Sequence, residues 1–423
     1  MKPDDLSMQT DIKSSKIKKM RSVCFVKHLE FELEGNVLSH AIGLGDIDND
    51  GNNELIIGNI NGDLTIFKED REWQKISGLG MITAIGVGDV FNIGCNALVV
   101  VCGDGWCHIL LKSTREIKDQ QESKLESVHV QRIPANTKVV LLGDMDGDGG
   151  QELVLGLTDR VVRCYRWLAE QAEGPGDRPV CGRLVGLHKW ECANQIGTVT
   201  LNYSADGRPC LLVAQPGGTF LKIRCNVASA ENTDDLASTS VDYHPLTSSR
   251  MRNPNVSTGV LGCIRPPGVK EDDKTCMRYA VATLDGTLML VQNEEVLWSI
   301  QVDHQLFALD KLDVTGDGAE EIVACSWDGQ TYILDQRKCC VRFQLEESVR
   351  AFCCGRYTLG SSRAPTPVFI YNTFTNKVYV FHDISLARMV VTNHQSVVQS
   401  VAPQLNRRNS QLLMEWCLYG RKR

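Results

Sequence analysis

The stretch Asp46-Ile47-Asp48-Asn49-Asp50-Gly51-Asn52-Asn53-Glu54-Leu55-Ile56-Ile57-Gly58 joins an acidic loop to a short apolar run. Ile42-Gly43-Leu44-Gly45 precedes it, and the turn Asn61-Gly62 leads on to Asp63-Leu64-Thr65-Ile66-Phe67. Asn-Gly or Asp-Gly between β-rich runs is a strong short-range hairpin signal. The same order returns at Leu142-Gly143-Asp144, Glu152-Leu153-Val154-Leu155-Gly156 and Val161 to Tyr165. It returns again at Lys311-Leu312-Asp313, Glu321-Ile322-Val323-Ala324, Asp328-Gly329 and Thr331 to Leu334. Weaker copies centre on Leu98 to Val101, Leu211 to Ala214, Tyr279 to Ala282 and Val368 to Tyr371, which makes seven units.

Short strands at even spacing, with no helical period between them, exclude a βαβ fold. One such sheet cannot bury both faces alone, so the units must stack, and ring closure removes the exposed ends of a linear stack. The expectation is an all-β, seven-bladed β-propeller over residues 20–383 with four strands per blade. Residues 1–19 read as a disordered extension, and residues 384–423 as a tail with a possible helix over 404–418. The run Val23 to Leu33 has strand character and is expected to complete the last blade and latch the ring. Four inserts, 112–131, 168–183, 226–257 and 265–275, fall where blade loops should be, and the longest, rich in Ser, Thr and Asn, is expected to be mobile.

Composition narrows the function. A net charge of −7 argues against a nucleic-acid surface, which needs an excess of Lys and Arg. No run reaches the roughly 18 apolar residues of a membrane span, and Met1 to Met20 lacks the apolar core of a signal peptide. The seventeen cysteines are odd in number and include no C-x-x-C pair. Neighbours on a strand point to opposite faces, so Cys339-Cys340 and Cys353-Cys354 cannot each hold one ion between them. Free thiols used as small apolar groups in a reducing compartment, and hence a cytoplasmic location, are expected.

Three acidic loops carry the candidate chemistry. In the first, Asp46, Asp48, Asp50 and Glu54 stand at positions 1, 3, 5 and 9, with Gly51 at the bend and the carbonyl of Asn52 at position 7. That spacing lets hard oxygen donors converge on one cation such as Ca²⁺. The third unit repeats it with Asp144, Asp146, Asp148, Gly150 and Glu152, and the sixth with Asp313, Thr315, Asp317, Ala319 and Glu321. An EF-hand needs Glu at position 12, where this chain has Ile57, Leu155 and Ala324. Any ion here would be a structural staple, since no nucleophile or base is grouped with it. The competing account is that the Asp and Asn side chains cap their own turns, with basic neighbours supplying the rest. In the second unit Phe91 and Ile93 stand at ligand positions. No G-x-S-x-G elbow, Walker A loop or H-E-x-x-H helix occurs, and His304 reads as a hydrogen-bonded structural residue, so no enzyme is expected.

The unit resembles the FG-GAP repeat of integrin α-subunit propellers, whose loops bind calcium, with Glu in place of Asp at position 9. The strings Ile133 to Val139, Thr158 to Arg163, Val302 to Leu309, Lys311 to Gly316 and Trp327 to Ile333 go beyond the generic repeat. On these, from Met20 to about His382, the chain is similar to the family of integrin-alpha FG-GAP repeat-containing protein 2. That resemblance implies a scaffold subunit of the KICSTOR complex at the lysosomal surface, paired with kaptin. It implies recruitment of the GATOR GTPase-activating complex and restraint of mTOR complex 1 when amino acids or glucose are scarce. The alternative is a calcium-dependent FG-GAP adhesion module outside nutrient signalling.

Overall fold

The computed structural model describes residues 20–384, 386 and 389, apart from 118–119, 171–180, 225–239, 246–254, 271–272, 276 and 361–363. Within them lie seven sheets, each built on consecutive antiparallel strands, with an N-terminal strand added to the sixth and to the seventh. The first blade runs Ile42–Gly45, Glu54–Gly58, Leu64–Lys68 and Arg71–Ile76, from the centre outward. The innermost strands Ile42–Gly45, Ile82–Gly88, Thr137–Gly143, Val199–Tyr203, Thr258–Ile264, Leu306–Leu312 and Val349–Tyr357 each touch the next, and the last touches the first. The ring is closed, as the repeat requires.

Burial follows from position within a blade. The second strands Glu54–Gly58, Ala97–Cys102, Glu152–Leu157 and Glu321–Ser326 are buried at every residue, because a neighbouring blade covers each face. The outermost strand of the fifth blade, Glu295–Gln301, alternates toward solvent. Cys353 and Cys354, adjacent on an inner strand, belong to two different core clusters. Burial raises both thiols well above the ordinary range, and all fourteen described cysteines are free.

The N-terminal segment closes the ring, and it does so with two strands. His28–Glu32 pairs antiparallel with Lys377–Phe381 as the outer strand of blade seven, as expected. Met20–Val23 adds a fifth strand to blade six, parallel to Cys340–Gln344. Between them Phe25 sits 5.0 Å from the Phe343 ring and 5.8 Å from that of Phe369, bridging the two blades.

The inserts divide. Residues 112–131 are not a loop: Trp106–Ile117 and Gln120–Arg132 pair along their whole length as a long hairpin extending blade two. Their charge suggests a loop, but a hairpin reaching past its neighbours needs no apolar face at its tip. Insert 168–183 is strand at both ends, in Val161–Ala169 and Gly182–Glu191, with 171–180 outside the described residues. Within 226–257, Ser240–Pro245 is the outer strand of blade four. The rest of that insert up to 254, residues 1–19 and the expected helix over 404–418 lie outside the described residues. Leu386 packs with the core of blades six and seven, and its N–H donates to Val314 O at 2.7 Å.

Candidate functional site

The acidic loops link the first and second strands of their blades and share one face of the ring. Position 1 caps the turn. Asp46 accepts from Asp50 N at 3.1 Å and Gly51 N at 2.9 Å. Asp144 accepts from Gly147 N and Gly149 N, and Asp313 from Gly316 N and Gly318 N. Asp89 of the second unit, which lacks the other carboxylates, does the same for Ile93 N and Gly94 N. Capping by this residue is therefore a property of the turn and needs no ion. Position 4 lies in the left-handed region in all four loops, at φ 59° for Asn49, 57° for Asn92, 83° for Gly147 and 73° for Gly316, which explains Asn or Gly there.

The asparagines also tie neighbouring blades. Asn49 Oδ1 accepts from Asn96 N at 2.8 Å, and Asn92 Oδ1 accepts from Gln151 N at 2.6 Å. Asn53 Nδ2 donates to Arg356 O at 2.9 Å, so these contacts link blades seven, one, two and three.

The glutamate at position 9 turns inward under the loop. Glu54, Glu152 and Glu321 are 0%, 1% and 3% exposed. Each accepts from the N–H at position 2: Ile47 at 3.1 Å, Met145 at 2.8 Å and Val314 at 2.9 Å. Burial raises Glu54 and Glu321 to about 7 and raises Glu152 as well.

Besides Thr315 at position 3 of the sixth, the loops differ in the residue opposite that glutamate. Leu55 pairs with Phe67, Leu153 with Tyr165 and Ile322 with Leu334, which sets Lys68, Arg166 and Asp335 one step on. Lys68 Nζ lies 2.6 Å from Asp48, 2.6 Å from Asp50 and 3.2 Å from Glu54. Lys112, from the long hairpin, adds a bond to the Asp48 carbonyl at 2.9 Å. Arg166 reaches Asp146 at 3.1 Å, Asp148 at 2.8 Å and, through Nε, Glu152 at 2.8 Å. Burial opposes the charge of both cations, but their carboxylate partners outweigh it and raise each above its ordinary range. In the sixth loop Asp335 instead caps Arg337 N and Cys339 N; Lys311 pairs with Glu320 at 3.0 Å, and Arg356 lies 3.8 Å from Asp313.

Calcium must sit about 2.3–2.6 Å from its oxygens. In the first and third loops a nitrogen already lies against positions 3, 5 and 9, so the residues as arranged do not fit a bound ion. Carboxylate oxygens of Asp46, Asp48 and Asp50, and of Asp144, Asp146 and Glu152, fall within 4.8 Å of one another; among the described residues the sixth loop forms no such group. Asp48 Oδ1 is buried without a hydrogen-bond partner, while its other oxygen contacts both lysines. The sequence reading named the acids and missed Lys68, Arg166 and Lys112. The first two stand one residue beyond the runs that defined the repeat. His304 is held by the Tyr332 hydroxyl at 2.5 Å and lies 3.4 Å from Asp328. No described helix is long and apolar enough to cross a membrane.

The same architecture is found in solved structures. Two crystal structures of BBS1N in complex with ARL6DN, soaked with mercury and with lead, align at TM-scores of 0.56 and 0.54. They are 13% and 14% identical to this chain, covering 85% of it and 97% and 96% of theirs, which speaks to fold alone. A mouse KICSTOR complex protein ITFG2 is 43% identical over 395 residues, 88% of each chain. The cattle protein of that name is 41% identical over 413 residues, 90% of this chain and 75% of its own. The model of integrin-alpha FG-GAP repeat-containing protein 2 matches residues 66–386. With the blades, the loops and these relatives in agreement, the chain belongs to the family of integrin-alpha FG-GAP repeat-containing protein 2.

Proposed function

We propose that this chain is a non-enzymatic scaffold subunit of a KICSTOR-type complex. In this role it pairs with kaptin, helps recruit the GATOR complex to the lysosomal surface, and restrains mTOR complex 1 when nutrients are scarce. The observation that carries the reading is identity above 40% along most of the chain to proteins named for that complex. The geometry suits the role, since a closed ring presents rigid loops and a projecting hairpin to partners. A cleft of about 580 Å³ lies between blades four and five, where Lys222 pairs with Glu294 at 3.6 Å.

The hairpin Trp106–Arg132 is the surface we assign to partner contact. Its base is anchored to blade one, where Gln74 exchanges two hydrogen bonds with the Leu125 backbone, at 3.0 and 2.8 Å. Shortening only 114–123 therefore leaves the anchor in place. Calcium is given a structural part in this reading at the sixth loop alone, drawing Asp313, Asp317 and Glu321 together.

The test is mass spectrometry of proteins captured on a tagged chain from gently lysed cells, fed and starved. Kaptin and the GATOR subunits should be recovered with the full chain and reduced with the shortened hairpin. Capture of neither by a folded full-length chain overturns the assignment.

A further inference from the structure

Lys68 and Arg166 arise from the same place in their blades, the last position of the first blade's third strand and its equivalent in the third. Each lies across from the buried glutamate and points its nitrogen at the oxygens of positions 3, 5 and 9. Those are the donors a divalent ion would share. The lysine is steadied from its other side, with Nζ 5.8 Å from the centre of the Trp73 ring, and Trp73 itself packs on the core. Arg166 splits its fork, with Nη1 on Asp148 and Nη2 on both Asp146 and Glu152.

We propose that Lys68 and Arg166 replace a metal ion in the first and third loops, so that these turns are stapled by the chain's own cations and take up no calcium. An ammonium 2.6 Å from two carboxylates fills the space an ion needs at about 2.3–2.6 Å from the same oxygens. Both supply positive charge where like charges would otherwise repel. A metal staple would fail in chelator, whereas a side-chain staple holds at any calcium concentration. The blades then keep their shape in a low-calcium compartment.

The first test uses intact first and third loops in a full-length Asp313→Asn/Asp317→Asn chain, which disables the sixth. Titration calorimetry with calcium should show no binding up to millimolar concentration, and the melting temperature should be the same in calcium and in EDTA. Uptake of one or two ions by that chain, or a calcium-dependent rise in melting temperature, overturns the proposal. A second arm adds Lys68→Ser and Lys68→Arg. The serine chain should melt earlier than the arginine chain in EDTA and recover part of the loss in calcium. A serine chain as stable in EDTA as its parent contradicts the proposal. Should it fail to fold, the first arm decides alone.

Discussion

The first and third loops differ from the sixth in two ways: the sixth has Thr315 where they carry an aspartate at position 3, and it lacks the basic residue opposite the buried glutamate. All three share a capping aspartate, a left-handed fourth residue and a glutamate buried beneath the loop. Opposite that glutamate, blades one and three place Lys68 and Arg166, and blade six places Asp335. The first and third loops each gather three carboxylates within 4.8 Å of one another; among the described residues the sixth loop, with Thr315 in place of one acid, forms no such group. The turn geometry belongs to the repeat, and the neutralisation of its charge belongs to a residue outside the loop.

The largest effect that could break this comparison comes from removing the cation. Lys68→Met leaves buried Asp48 with only the more distant Lys112 and buried Glu54 with only the Ile47 N–H, and should cost about 3 kcal/mol, at the low end for a broken buried pair because Lys68 itself is partly exposed. Asp335→Ala, at the corresponding place in blade six, should lose only a turn cap, about 1 kcal/mol. Urea unfolding of both chains measures the difference, and equal losses would refute it.

A similar effect, on the order of 3 kcal/mol, is expected from pH in the sixth loop. Glu321 is raised to about 7 in the fold from 4.5, mainly by burial. Both states are protonated below the lower value, and between the two values the unfolded chain loses its proton first. Stability therefore falls as pH rises from about 4.5 to 7 and levels off above. His40, lowered to about 4 by burial and by Lys138, acts in the opposite sense. It is common to wild type and Glu321→Gln, so the difference between their melting curves, recorded in chelator, isolates Glu321. Parallel curves across that range would show that the glutamate does not titrate there.

The smallest effect tests what the loops share. Asp46→Ala and Asp89→Ala should each cost about 1 kcal/mol, because both remove the same cap although only one loop holds a full carboxylate set. A much larger loss at Asp46 would mean that it does more than cap its turn.

These differences mark where the sequence was legible. Asp-Gly and Asn-Gly turns between apolar runs identify the blades because hairpin turns and fully buried strands leave local signals. The latch was half legible: His28–Glu32 alternates as an edge strand should, whereas Met20–Val23 pairs in parallel with a strand some 320 residues away, which no local pattern reports. The hairpin at 106–132 was hidden by its charge, because composition reports burial better than strand pairing. In the candidate site the acids were legible from spacing alone. Lys68 and Arg166 were not, since their significance comes from cross-strand register with Glu54 and Glu152. Lys112 comes from another blade and leaves no signal near the loop it serves.

The most direct measurement is a crystal structure of the chain grown in millimolar calcium. The account predicts Lys68 and Arg166 nitrogens at hydrogen-bonding distance from positions 3, 5 and 9, with no ion in either loop. An ion ringed by oxygens at about 2.3–2.6 Å in the first or third loop, with Lys68 or Arg166 turned out to solvent, would contradict it.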